Sequence, residues 1–415
     1  MRKHSREVDV LIVGGGQAGA QAAIALRSQK YDGSIEIVGA ETDPPYERPP
    51  LSKDYLSGAK TLDRILIRPE TFWKDRSIRL TLGREVIAIH PDEHTATLDD
   101  GSCVRYAYLI WAAGGRARRL GCEGGDLDGV HTLRTRSDAD ALAADLSSAQ
   151  HVVIVGGGFV GLEAAAVAVG QGLRVSLFEA QDRLLARMSS NTVSRFYEAE
   201  HRRHGVEIRL GVEIERINGR DGRVHSVSLR SGEQIECNLV LVGIGIIPNV
   251  APLEAAGATL SNGVWVDELC RTSLPDIFAI GDCAAHLNRF AGGAVVRLES
   301  VQNANDQAIT VARVLTGQRQ PYDAHPWFWS DQYDLKMQTI GLATGHDATV
   351  VRGDPAQRSF SVIYLRDGYI VAIDCINTTK DYVQARKWIG VLRRPDLIAL
   401  NNAEIPINMV PNKEL

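Results

Sequence analysis

No two of the six cysteines (Cys103, Cys122, Cys237, Cys270, Cys283 and Cys375) stand close enough in sequence to make a CxxC or CxxxxC pair. Those are the spacings of metal knuckles and of redox disulfides. Neither chemistry is expected, no metal site is assigned, and the cysteines read as unpaired, mostly buried thiols of a reducing compartment. No run approaches the roughly eighteen apolar residues that a membrane-spanning helix needs. The opening MRKHSREVDV reaches its first apolar strand without an apolar leader core, so a cytoplasmic protein with no membrane attachment is expected. Basic charge is not in excess: 46 Lys+Arg against 51 Asp+Glu give a formal net charge of −5, which argues against a bulk nucleic-acid binder. Low-complexity stretches and long linkers are missing too. The 415 residues, 44% hydrophobic and 23% charged, have an ordinary globular composition and length enough for two or three domains.

Two stretches follow one programme. VDVLIVGGGQAGAQAAIALRS near the start, and HVVIVGGGFVGLEAAAVAVGQGLRVSLFEA at 151–180, each read as strand, glycine turn and alanine-rich helix. In such a turn the first glycine makes the bend, the second lets backbone amides approach a pyrophosphate, and the third permits close strand–helix packing. The helix N-terminus adds partial positive charge. The sets are Gly14, Gly16, Gly19 and Gly156, Gly158, Gly161. One GxGxxG is a weak signal; two in matching context imply two pyrophosphates and two dinucleotides.

The second unit ends its next strand at Glu179, 23 residues beyond Gly156. An acid there binds a ribose 2′-hydroxyl and repels a 2′-phosphate, which favours NADH over NADPH; Arg174, Arg183 and Arg187 nearby weigh slightly the other way. In the first unit the aligned position is Gly39, followed by Ala40 and Glu41, so a ribose contact falls to Glu41 or to backbone. TSLPDIFAIGDCA then ends an apolar run at Gly-Asp, placing Asp282 where a carboxylate and adjacent amides can hold a ribityl chain and phosphate. With the N-terminal glycine turn this points to FAD, and flavin plus nicotinamide in one chain means hydride transfer.

The expected fold class is α/β, with two Rossmann-like dinucleotide-binding domains and a C-terminal α+β domain. The boundaries are 1–118 for the first part of the FAD domain, 119–245 for the NAD domain, 246–324 for the second part of the FAD domain and 325–415 for the C-terminal domain. The proline-rich stretch ETDPPYERPPLSKDYL reads as a surface or site loop without regular structure. PWFWSDQY precedes the strands of the last domain, and a final helix is expected around 381–392.

The ordered set GGGQAGA, PPLSKDYL, WAAGG, GGGFVGLEAAA, GIGIIPN, AIGDCA, RLESVQNANDQA and PWFWSDQY resembles the FAD-dependent, NADH-using ferredoxin reductases of bacterial oxygenase systems, within the glutathione-reductase-like superfamily. The likeness runs over essentially the whole chain, and PPLSKDYL, ESVQNANDQA and PWFWSDQY are its discriminating parts. Ala113 departs from the threonine common there, and Ala40 from an acid. The resemblance implies FAD contacts at Ala18, Ala40, Lys53, Val86, Arg134, Asp282 and Val301, and places Lys53 and Glu163 beside the flavin and nicotinamide rings. It puts Trp329, with Trp327, against the flavin or nicotinamide face, although an aromatic core is an equal reading of those residues. Arg48, Ala113, Gly114, Val160 and Gly245 complete the cofactor-binding set.

What the resemblance implies is an oxidoreductase that passes electrons from NADH through FAD to a two-iron, two-sulfur ferredoxin, and so to a haem-thiolate monooxygenase or another oxygenase. A rubredoxin or monodehydroascorbate reductase shares the fold and half-reaction; an apoptosis-inducing-factor-like NADH sensor is the alternative from another class. A basic docking face is expected for an acidic ferredoxin, and a monomer is expected.

Overall fold

The computed structural model describes residues 5–391 and 393–412. Contacts divide it into two units: 1–48, 61–116 and 247–326 in the first; 49–60, 117–246 and 327–415 in the second.

The first unit is built on a seven-stranded sheet whose centre is the strand Ser5–Val13. This strand pairs in parallel with Ile35–Gly39 on one side and Cys103–Trp111 on the other. Ile78–Leu82 extends the parallel run beyond Ile35–Gly39, while 86–90 and 95–98 fold back antiparallel beside Cys103–Trp111. Val10, Ile12, Ile35 and Ile37 are fully or nearly fully buried beneath the alanine-rich helix Gln17–Ser28. Small side chains on that helix allow it to lie close to the sheet and to the helix Val301–Leu315.

In the second unit the same programme recurs in a five-stranded, all-parallel sheet. Its order is 207–210, 174–179, 151–155, 239–242, 130–132. Near-continuous apolar strands such as HVVIV and LVLV suit a sheet covered on both faces. Three short antiparallel strands spanning 214–236 follow. The C-terminal part is a five-stranded antiparallel sheet in the order 327–332, 335–341, 369–376, 359–366, 348–354. The α/β class with two nucleotide-type sheets and an α+β tail is therefore present.

Three local expectations need correction. PWFWSDQY does not merely precede the last domain's strands: Trp327–Gln332 is its edge strand. Alternation places Trp327, Trp329 and Asp331 on one face and Phe328, Ser330 and Gln332 on the other. The helix expected around 381–392 is Thr379–Ala385; a run of turns carries the chain from there to Val391, and a further short helix, Leu397–Asn401, follows. The proline-rich loop is not a surface segment throughout. Pro49–Ser52 forms a helical turn in which Pro50, Leu51 and Ser52 are buried, because the fixed φ of two prolines preforms the turn.

Candidate functional site

At the end of each central strand the chain makes the same turn. Gly14 and Gly156 have φ of 115° and 111°, a region closed to most side chains. A Cβ on them would lie 2.2 Å from Ala112 O and 2.4 Å from Gly243 O. The third glycines are fixed by packing: a Cβ on Gly19 would meet Gly14 O at 2.0 Å, and one on Gly161 would meet Gly156 O at 2.1 Å. The middle glycines differ. A Cβ on Gly158 would meet nothing beyond its own stretch of chain within 4 Å, and one on Gly16 would meet only the Arg48 guanidinium, at 3.8 Å. Gly16 and Gly158 also begin helices of 12 residues with no side-chain cap, so the first-turn amides are donors without a side-chain acceptor. Each turn thus has the open approach and the donors that a pyrophosphate needs.

Around the first turn, Glu41 accepts from Arg48 at 2.5 Å and from the Tyr46 hydroxyl, which holds the guanidinium over Gly16. Gly83 N donates to Glu41 O and Arg84 N to Gly39 O, both at 2.9 Å, bringing the start of the Val86 strand alongside Ala40. Ala113 O accepts from Asn249 at 3.0 Å, and Gly114 takes a φ of 60°. The Asp282 turn closes on the same helix, since a Cβ on Gly281 would meet Ala18 Cβ at 2.9 Å. Gly281 N donates to Gln307 at 2.7 Å, and Gln307 belongs to the helix that Val301 opens. The structure therefore gathers Gly14, Gly16, Ala18, Gly19, Ala40, Glu41, Arg48, Ala113, Gly114 and Asp282 around one turn, with Val86 and Val301 at its margins.

Around the second turn, the Glu179 carboxylate accepts from Gly157 N at 2.6 Å and from Gln181 N at 2.8 Å. Two of the three nearby arginines are committed elsewhere. Arg183 donates to Ser189 O, Ala186 O and Ser194, and Arg174 pairs with Glu207 at 3.6 Å. Val160 is exposed in the first turn of the Phe159–Gly170 helix. Gly245, with a φ of 97°, follows the strand 239–242. Arg134 precedes the Thr135 cap of the next helix, its amide donating to Asp138 at 3.0 Å.

The second unit also holds a buried ion pair. Lys53 Nζ lies 2.7 Å from Glu163 Oε2, with side-chain exposures of 16% and 4%. Ser52 donates to Oε2 at 2.5 Å and Ser330 to Oε1 at 2.6 Å, so three donors converge on one carboxylate. Burial pushes the Glu163 carboxyl above its usual range, while Lys53 and the two hydroxyls pull it back. Trp329 is not in this cluster. It shares a strand with Ser330 but faces the other way, its ring 5.2 Å from that of Trp327.

Sequence reasoning missed Ser52, Ser330, Gln332 and His201. A signal existed for two of them. Ser330 and Gln332 are polar positions on the face of a strand whose other member, Phe328, packs 4.6 Å from Phe159; polar residues on an inner face need partners. His201 could not be read from a helix rich in charge.

Two such cradles in one chain define a redox protein built for two dinucleotides. The chain belongs to the pyridine nucleotide-disulphide oxidoreductase family, which matches residues 8–308, and residues 327–410 match the reductase C-terminal family. It is 56% identical over 400 residues to the 5,5'-dehydrodivanillate O-demethylase ferredoxin reductase subunit of Sphingobium sp., covering 96% of this chain and 97% of that one. A ferredoxin reductase from Rhodopseudomonas palustris is 41% identical, with a TM-score of 0.89 over 91% of this chain and 93% of that one. A chain of the covalent putidaredoxin reductase–putidaredoxin complex is 36% identical, with a TM-score of 0.93 over 96% and 97%.

The disulfide in the family's name has no counterpart in the thiols. All six cysteines are unpaired. Burial pushes Cys237, Cys283 and Cys375 up to about 12, and Cys270 higher still, so none of these four is a thiolate near neutrality. Among the described residues no cluster of His, Cys, Asp or Glu could hold a metal ion, and no helix is long and apolar enough to cross a membrane.

Proposed function

We propose that the chain is a FAD-dependent NADH:ferredoxin oxidoreductase, working in the cytoplasm and supplying single electrons to a two-iron, two-sulfur ferredoxin that feeds an oxygenase. The carrying observation is the pair of matched, uncapped glycine turns in a chain without a usable thiol pair: electrons received from a nicotinamide have no internal disulfide to enter and must leave to an external carrier. FAD, when bound, supplies the conversion from a two-electron donor to a one-electron acceptor.

The first turn, with Arg48 held by Glu41, binds the flavin pyrophosphate; Asp282 and the amides beside it hold the ribityl end. Ala18, Ala40, Val86, Ala113, Gly114, Arg134 and Val301 line the same cofactor. The second turn binds the NADH pyrophosphate, with Val160 and Gly245 at its rim, and Glu179 accepts from the adenosine ribose. Lys53 directs its ammonium to the reacting flavin ring, where positive charge favours electron-rich flavin, and Glu163 keeps the ammonium oriented. Trp329, beside Trp327, provides an aromatic wall that excludes water near the electron exit. Reductase names among the relatives and the matched C-terminal family support this reading.

The purified protein is expected to be yellow and to reduce cytochrome c with NADH rapidly only when a ferredoxin is added. Equal rates without ferredoxin would reject the reading. Stimulation by a rubredoxin alone would reassign the acceptor, and slow flavin reduction with a long-lived charge-transfer band would indicate an NADH sensor.

A further inference from the structure

A line of buried polar side chains runs on from Glu163 through the second unit. Ser330 donates to Glu163 Oε1 at 2.6 Å, and Gln332 Nε2 donates to Ser330 Oγ at 3.1 Å. His201 Nε2 stands 2.8 Å from Gln332 Oε1, and the Tyr333 hydroxyl 2.9 Å from His201 Nδ1. Glu163, Ser330, Gln332 and His201 are at most 4% exposed. Chains of this kind, fully satisfied, specify one arrangement.

The order of donors is dictated by proton counting. Burial holds His201 down to about 4, so its ring carries one proton, and that proton is on Nε2 if Gln332 is to accept it. Gln332 then donates to Ser330, Ser330 to Glu163, and Tyr333 to His201. Every donor points toward the carboxylate. Protonating Glu163 on Oε1 would set two donors against each other at Ser330. Relief would require turning the Gln332 amide and moving the His201 proton to Nδ1, both inside a packed core. The far end is held at some cost: Tyr333 occupies a two-residue turn with a φ of 56°, a conformation that disfavours a bulky side chain. His204 stacks on its ring at 3.7 Å.

We propose that Tyr333, His201, Gln332 and Ser330 are positioning residues that lock Glu163 as an anion in a single rotamer and thereby keep the Lys53 ammonium aimed. This rests on the flavin and NADH reading above and extends it to residues that touch neither cofactor. The charged and titratable groups facing Glu163 are Lys53, immediately after the Pro49–Ser52 turn, and Tyr197, from the Asn191–Arg203 helix; burial, then Asp374 and Glu163, push that phenol upward. At the distal end, Glu200 faces Tyr333, His204 faces His201, and Arg358 pairs with Glu200 at 3.2 Å.

The test uses the flavin-loaded full chain and two substitutions, Gln332→Met and Tyr333→Phe. Two quantities are measured against pH: the anaerobic rate of flavin reduction by NADH, and the flavin midpoint potential without nicotinamide. In Gln332→Met the acid limb of the rate should move up by about one pH unit, a roughly tenfold loss at a fixed pH on that limb. The midpoint potential should gain an extra pH dependence in the same window. Tyr333→Phe, at the half-buried end and least disruptive of folding, should move both in the same direction by less. Profiles and potentials that superimpose on the parent, whatever the loss of melting temperature, would overturn the lock while leaving the reductase reading intact. A parent protein that binds no flavin would overturn both.

Discussion

Replacing Glu179 with glutamine keeps an acceptor for only one of the Gly157 and Gln181 amides, which bond to different carboxylate oxygens at 2.6 and 2.8 Å, and removes the charge. Two consequences follow. A charge-assisted bond to the ribose becomes a neutral one, a loss of about 1 kcal/mol, which lowers kcat/KM for NADH by roughly fivefold. Repulsion of a 2′-phosphate also disappears. Two unit charges about 4 Å apart interact by about 1 kcal/mol in water and about 4 at the effective dielectric of a protein surface. Glu179 is half-buried, so a gain of about 1–2 kcal/mol for NADPH is expected, roughly tenfold in kcat/KM. The preference for NADH should therefore shrink by about fiftyfold in all. Full reversal is not expected, because Arg183 donates to Ser189 O, Ala186 O and Ser194 and cannot turn to a phosphate cheaply. The assay is steady-state reduction of ferricyanide with each nucleotide, and kcat for NADH should change little, since the contact acts in binding. A preference that stays within threefold of the parent would refute the placement of the ribose at Glu179.

Gly19→Ala and Gly161→Ala should separate the two cradles: each forces a Cβ to about 2 Å from a carbonyl oxygen. The first variant should lose flavin colour and the second should keep it while losing NADH-driven bleaching. Glu163→Leu leaves the Lys53 ammonium without its partner and should cost about 2–3 kcal/mol in urea unfolding, reduced from the fully buried figure because Lys53 is 16% exposed. Lys53→Met added to it should recover much of that loss, and strict additivity would contradict the pairing. Asp374 is 1% exposed and accepts from Tyr364 at 2.5 Å and Thr339 at 2.7 Å. Burial raises its carboxyl from 3.8 to about 6. A carboxyl raised in the folded state stabilises the fold while protonated, so its contribution is full below the unfolded value and lost as pH rises through the folded one. The stability of Asp374→Asn relative to the parent should therefore improve by about 3 kcal/mol between pH 3.5 and 7, read from denaturant midpoints; a gap independent of pH would refute the shift.

The cradles were legible because they are local. Strand, turn and helix are consecutive, and a glycine required by sterics leaves its mark at a fixed spacing: close strand–helix packing was expected at Gly19, and in the structure Gly19 closes on Gly14 O. The strand-end acid at Glu179 was legible for the same reason. Element types in the last domain were also readable, but the edge strand was not, since two tryptophans and a phenylalanine suit a core loop as well as a strand. The Lys53–Glu163 pair was seen only through family likeness, because 110 residues of chain separate its members. Ser52, Ser330, Gln332 and His201 stayed hidden because their meaning depends on what burial brings opposite them. A serine or glutamine in a sequence is ordinary; one enclosed beside a carboxylate is not. Likewise, nothing in ETDPPYERPPLSKDYL told that Glu41 would hold Arg48 over Gly16.

The most direct test of the central claim is an anaerobic electron count. Holoprotein with excess oxidised ferredoxin is titrated with NADH, and the loss of nicotinamide absorbance is compared with the bleaching of the iron–sulfur cluster. Two ferredoxins reduced for every NADH consumed, with the reductase returned to oxidised flavin after each cycle, is the result expected of a chain that accepts electrons in pairs and releases them singly. NADH consumed without ferredoxin reduction, or a colourless protein that leaves NADH untouched, would contradict it.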